Sequence, residues 1–155
     1  MEKVSEQKKL FLDTEKKTIT LVDELTMVSW LVVLEKYIES LNDTYSVSVK
    51  FVSSSTMEQL NNKFLNKSAP TNVLAFPIKT DNDPLQSLGD IAICSELVIE
   101  EAKEQGKKVE HHLAHLFVHG VLHLLGYRHA SSPDSKEMEL MEIKILSELG
   151  IGNPY

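Results

Sequence analysis

Apolar positions along the chain switch between two periods, and each switch marks an element. Leu10-Phe11-Leu12 is a short apolar run that predicts a first strand. Between Leu25 and Leu41 the residues Val28, Leu31, Val32, Leu34, Ile38 and Leu41 recur at three and four, the spacing of an amphipathic helix, with Trp30 and Tyr37 as packing residues. Tyr45 to Val52 alternates apolar and polar and is rich in β-branched residues, which predicts a half-buried strand. Ser55 or Thr56 then offers an N-cap for a helix carrying Met57, Leu60, Phe64 and Leu65. A polar loop, Asn66 to Pro70, leads to the strand Val73-Leu74-Ala75-Phe76, closed by Pro77. The acidic, turn-rich Thr80 to Pro84 reads as an exposed loop, and we expect it to be the most mobile part. Gly89 to Cys94 is strand-like, and Ser95 can cap a helix from Glu96 to Gln105 that Gly106 ends.

After Lys107-Lys108 the apolar residues Val109, Leu113, Leu116, Phe117, Val118, Val121, Leu122, Leu124 and Leu125 go nearly all the way round a helix. A helix apolar on every side has to be buried, so this one is expected at the centre. Ser132-Pro133-Asp134 is an N-cap with proline at the first helical position, opening a last helix with Met138, Met141, Ile145 and Leu149 inward and Gly150 as its stop. The pattern predicts one compact α+β domain over residues 1–155, of about four strands and five helices, with residues 1–9 flexible.

All six histidines lie between positions 111 and 129, in the central helix and just beyond it. His119 and His123 are one turn apart on the same helix face, so both imidazoles can converge on one ion. Continuing the helix would carry His129 to another face and roughly 9 Å further along. Gly126 resolves this, because a glycine after an apolar helical run can take the left-handed conformation and turn the chain back across the helix end. Three nitrogen ligands leave a tetrahedral ion one open position for water, the mark of a catalytic site. Imidazole ligation suits zinc, with nickel or cobalt as further possibilities. Zinc endopeptidases use the same frame with Glu after the first His as general base, but here that position is Gly120, so the base for peptide hydrolysis is missing. His115 can line the same stripe and is read as a structural residue or one standing behind the ligands, while His111 and His112 are read as exposed.

Composition narrows the classes. Hydrophobic content of 42% and charged content of 25% are those of a soluble globular protein, and no apolar run is long enough to cross a membrane. The charged N-terminal stretch has no signal-like apolar region, so a cytoplasmic location is expected. Cys94, the only cysteine, excludes an internal disulfide and a cysteine zinc site. A net charge of −7 argues against indiscriminate nucleic-acid binding, so any contact with RNA needs a local basic patch, and no DNA partner is expected. Arg128, the one arginine among sixteen basic residues, lies inside the histidine motif.

The run His119 to His129, together with Pro70-Thr71-Asn72-Val73-Leu74-Ala75-Phe76-Pro77 and Leu88-Gly89-Asp90-Ile91, resembles the YbeY family of metal-dependent endoribonucleases over about residues 45–155. The resemblance implies an enzyme that cleaves single-stranded RNA, acts in 3′-end maturation of the small-subunit (16S) ribosomal RNA and in ribosome quality control, and has ribosomal RNA and the small ribosomal subunit as partners. Two positions depart from the family pattern. An arginine expected after Phe64 is Leu65, and an aspartate expected before the third histidine is Arg128. Arginine clamps phosphate in two-pronged fashion and leucine does not. Arg128, with Lys63 or Lys67, is therefore read as supplying some of the phosphate contact that Leu65 lacks. Asp90 has two readings, as a general base or a residue orienting the ligands from behind, or as part of a turn or bulge opening its strand. Against the nuclease stand a ribosome-assembly factor that keeps the metal but cuts weakly or not at all, and a metal hydrolase of small amides or esters, which Gly120 disfavours.

Overall fold

The computed structural model of the chain describes residues 8–39, 41, 45–66, 71–78, 86–127 and 132–155. Among the described residues four strands, β1 (Leu10–Thr14), β2 (Tyr45–Val52), β3 (Val73–Pro77) and β4 (Gln86–Cys94), form one sheet in the order β1-β2-β4-β3. β1, β2 and β4 run parallel, and β3 is antiparallel to β4. Among the described residues five helices, α1 (Glu24–Tyr37), α2 (Ser54–Leu65), α3 (Ser95–Glu104), α4 (Val109–Leu124) and α5 (Ser132–Glu148), complete the α+β fold expected from the pattern. Among the described residues no helix is long and apolar enough to cross a membrane.

The alternation in β2 sorts the two faces of the sheet. Tyr45, Val47, Val49 and Phe51 point into the main core with Leu10, Ile91 and Ile93, and α1, α4 and α5 close that core from one side. On the opposite face Val52, Leu74, Ala92 and Cys94 pack against Met57 of α2. α4 is buried nearly all round, with Leu113, Phe117, Val118, Val121 and Leu122 inaccessible, as a central helix must be. At Gly120 it comes close to the sheet, where a Cβ would meet the Ile91 side chain at 3.1 Å. Position 120 therefore faces the sheet at close quarters, and any side chain there would have to push Ile91 aside by a few tenths of an ångström.

Several boundaries differ from the sequence pattern for identifiable reasons. α1 stops at Tyr37 instead of Leu41, because Ile38 takes φ −116° and ψ 99° while still burying its side chain. An extended residue thus fills the place that the helical period assigns to it. Within α1 the buried residues are Met27, Trp30, Leu31 and Leu34, whereas Val32 is exposed. Trp30 packs on Phe117 with ring centroids 5.8 Å apart. The cap of α2 is Ser53, whose hydroxyl accepts from Thr56 N at 3.2 Å, two or three residues earlier than read from the serine run. Phe64 and Leu65 at the end of α2 are exposed. Ser95 caps nothing, since its hydroxyl donates to the Ile19 carbonyl at 2.7 Å. Lys9, expected in a flexible arm, is anchored: its carbonyl accepts from Val47 N at 2.8 Å and its ammonium pairs with Glu35 at 2.8 Å. The loop Thr80 to Pro84 lies outside the described residues.

Candidate metal centre

α4 presents His115, His119 and His123 on one stripe, at intervals of four. Ring centroids are 6.2 Å apart for His115 and His119, and 4.7 Å for His119 and His123. The helix ends as the glycine predicts. Gly126 has φ +100°, its N–H reaches the His123 carbonyl at 3.0 Å, and Tyr127 N–H reaches the Leu122 carbonyl at 3.0 Å. This is the paired arrangement by which a left-handed residue reverses the chain at a helix C-terminus. His129, Arg128 and Lys67 lie outside the described residues.

Behind the stripe stands a residue the sequence reading missed. Glu142 of α5 is completely buried, and its carboxylate accepts from His119 Nδ1 at 2.5 Å, from His115 Nε2 at 3.1 Å and from the Tyr155 hydroxyl. Burial pushes the Glu142 carboxyl up, but the hydrogen bonds from His115, His119 and Tyr155 outweigh it and bring it down to about 2. The Tyr155 phenol is pushed up, first by burial and then by the bond to Glu142. The carboxylate is therefore ionised at neutral pH. Its bond to His119 puts the imidazole proton on Nδ1 and makes Nε2 the electron-pair donor.

His119 and His123 line a cavity of about 210 Å3 with Leu65, Val73, Leu74, Ala75 and Gly120. Leu65, at the position where the resemblance leads to an expected arginine, lines this cavity. His115, His119 and Glu142 offer ligand atoms within 4.8 Å of one another, and this donor set of imidazole and buried carboxylate is compatible with a divalent metal.

Two expectations need correction. Asp90 does not stand behind the ligands. Ile91 and its alternate neighbours on β4 face α4, so Asp90 projects from the opposite face of the sheet and is exposed there. His112 is buried, not exposed, and its Nε2 lies 3.0 Å from Glu101 of α3, whose carboxylate also accepts from Asn72 at 3.0 Å. Lys63 is exposed at the end of α2, its ammonium 5.3 Å from the Phe64 ring centroid, and is not among the residues lining the histidine cavity. A sequence signal for Glu142 exists in retrospect: it is a lone acid on the apolar stripe of Met138, Ile145 and Leu146.

Comparison with known proteins gives a consistent result. The family described as Endoribonuclease YbeY matches residues 5–150. Endoribonuclease YbeY of Wigglesworthia glossinidia brevipalpis is 49% identical over 111 residues, covering 70% of this chain and 73% of that protein. Endoribonuclease YbeY of Coxiella burnetii (strain RSA 493 / Nine Mile phase I) is 44% identical over 127 residues, covering 81% and 84%. The solution structure of TM1509 from Thermotoga maritima superposes with a TM-score of 0.61 at 28% identity, covering 90% of this chain and 88% of that one.

Proposed function

Since the chain belongs to the YbeY endoribonuclease family, we propose that it is a metal-dependent endoribonuclease that cleaves single-stranded RNA, with ribosomal RNA of the small subunit as substrate. In this reading it works in the cytoplasm, in 16S 3′-end maturation and ribosome quality control. The observation that carries the proposal is the bond from His119 to the buried Glu142, beside His123 on a cavity wall. A carboxylate behind an imidazole is how proteins orient a metal ligand and raise its basicity.

His119, His123 and His129 would hold the ion, zinc being the best match and nickel or cobalt sharing the same nitrogen chemistry. Glu142 is a poorer ligand than it is a partner. It already receives hydrogen bonds on both oxygens, and its 2.5 Å approach to His119 is shorter than the roughly 3.3 Å between two ligands on a tetrahedral ion. When bound, such an ion supplies Lewis acidity at a phosphoryl oxygen and eases the ionisation of water. The chain does the rest by position. Glu142 fixes the His119 ring, His115 and Tyr155 fix Glu142, and β3 forms one wall of the cavity. Alternate residues of β3 pair with β4, with Cys94 N–H to the Asn72 carbonyl at 2.9 Å and Ile78 N–H to the Leu88 carbonyl at 3.2 Å. Val73 and Ala75 therefore turn their backbone polar groups outward, where a phosphodiester or ribose can meet them.

The test is cleavage of a single-stranded fragment from the 3′ end of small-subunit ribosomal RNA by the native chain. The chain as purified should cut, a chelator should stop the reaction, and restored zinc should return it; cleavage unaffected by metal removal sinks the proposal. Leu65 favours a second reading, a factor that binds its RNA and cuts it slowly, because leucine offers a phosphate no charge. Leu65→Arg is accordingly expected to tighten RNA binding about tenfold, the gain of one charge-assisted two-pronged contact. An unchanged affinity for the fragment would show that position 65 does not meet phosphate.

A further inference from the structure

The face of the sheet turned away from α4 holds a second and larger concavity, of about 670 Å3, which the metal centre does not use. Strand register explains its shape. Phe11 pairs with Ser48, Ser48 with Asp90, and Asp90 with Phe76, so these four side chains form one row across all four strands. Three interstrand spacings make the row about 14 Å wide. Aromatic rings stand at its two ends and small polar groups at its floor. At the β3 end Phe64 of α2 leans on Phe76, with centroids 5.1 Å apart. Phe11 and Phe64 are 49% and 54% exposed, unusual for rings with no role in the core.

This concavity and the candidate metal centre lie on opposite faces of the sheet and share its β3 edge. Phe64 and Phe76 line the larger space, while their chain neighbours Leu65 and Ala75 line the cavity of His119 and His123. The end of α2 and the edge strand β3 separate the two spaces, so a path from one to the other rounds the edge of the sheet. Basic groups follow the same path: Lys63 lies beside Phe64, and Lys50 and Lys8 line the far side. Lys50 is 3.8 Å from Asp13, and Lys8 is 3.0 Å from Glu24, in exposed pairs. Such pairs are worth little and are readily exchanged for phosphate.

We infer that the open sheet face is a track for the single-stranded RNA entering or leaving the metal centre, with bases stacked on Phe64, Phe76 and Phe11 and phosphates met by Lys63, Lys50 and Lys8. The inference rests on the RNA-cleaving reading above. Exposed rings at intervals in a groove edged by lysines are what a nucleic acid strand uses without regard to sequence, because every base has a stacking face. Asp90 at the floor repels phosphate and accepts N–H donors from base edges, so the strand lies bases inward and backbone toward the lysines.

The test compares equilibrium binding of 2′-O-methyl single strands of about four and about twelve nucleotides, spanning the site sizes usual for such surfaces. For the native chain the longer strand binds at least about tenfold more tightly. The double variant Phe11→Ala, Lys50→Glu, at exposed positions whose loss circular dichroism should not register, is expected to bind both strands alike and to show a shallower salt dependence. A double variant that keeps the native dependence on length overturns the track and leaves the nuclease reading standing. Loss arising wholly from Lys50→Glu, with Phe11→Ala like the native chain, overturns the stacking. A native chain that neither binds nor cuts RNA removes the nuclease reading, and the track with it.

Discussion

His123→Ala is expected to fold normally, to purify without stoichiometric metal and to cut RNA about a thousandfold more slowly than the native chain, the loss of roughly 4 kcal/mol of metal-derived stabilisation. The side chain is half-buried on the last turn of α4, outside the main core, and alanine is a good helix former. Truncation therefore removes an imidazole from the cavity without opening a void among Phe117, Val121 and Leu122. Thermal unfolding, metal content and cleavage should be measured on one preparation. A variant that unfolds like the metal-free native chain but has lost metal and activity together supports the ligand role. Undiminished cleavage by a metal-depleted variant would exclude a metal nuclease built on this stripe.

The second large effect is expected at Glu142. Glutamine has the same shape and can still accept from His119, but its amide donates where His115 and Tyr155 also donate, and it carries no charge to raise the basicity of the imidazole. Glu142→Gln should weaken zinc binding about 10- to 100-fold, the usual effect of removing an outer partner of a metal ligand, as read by competition with a chelator. It should also change the pH dependence of stability in the metal-free chain. The Glu142 carboxyl is held at about 2, below its ordinary value of 4.5. The native fold binds fewer protons there than the unfolded chain, so the stabilisation is fully present above pH 4.5 and is lost as pH falls toward 2. Acid unfolding of the native chain should be steep across that window, and that of Glu142→Gln shallower. Equal acid limbs, or equal zinc affinities, would mean that the carboxylate merely fills space.

Much of the fold was legible because single elements carry their own evidence. The alternation of β2 survives intact in the structure, and the all-round apolar α4 could only be central. Gly126 announced its left-handed turn through its place after an apolar run. What the sequence hid was mostly relational. Glu142 is an acid on an apolar stripe, but nothing in its neighbourhood says that two histidines 27 and 23 positions earlier will meet it. One of the two readings of Asp90 put it near the chemistry because it lies in the motif Leu88 to Ile91, yet the pleat turns it to the far side of the sheet. Applied to Ile91 and Ile93 as inward residues, the period of two would have placed it correctly. Ile38 misled in the other direction, since a buried residue in helical phase need not be helical. His112 was read as solvated from its place at a helix start, whereas Glu101 on the preceding helix supplies the partner that lets it be buried.

The clasp of Glu142 by His115, His119 and Tyr155 also has a temporal meaning. A polypeptide is made from its N-terminus, and the histidines of α4 emerge before α5 and the residues that follow it. Until α5 has been synthesised and packed, the bond between His119 and Glu142 cannot form. A chain stalled before that point lacks both Glu142 and the α5 side chains Met138, Ile145 and Leu146 that complete the main core. The histidine stripe is thus complete in the growing chain before the carboxylate that orients it, and the bond from His119 to Glu142 is a product of α5 docking on α4.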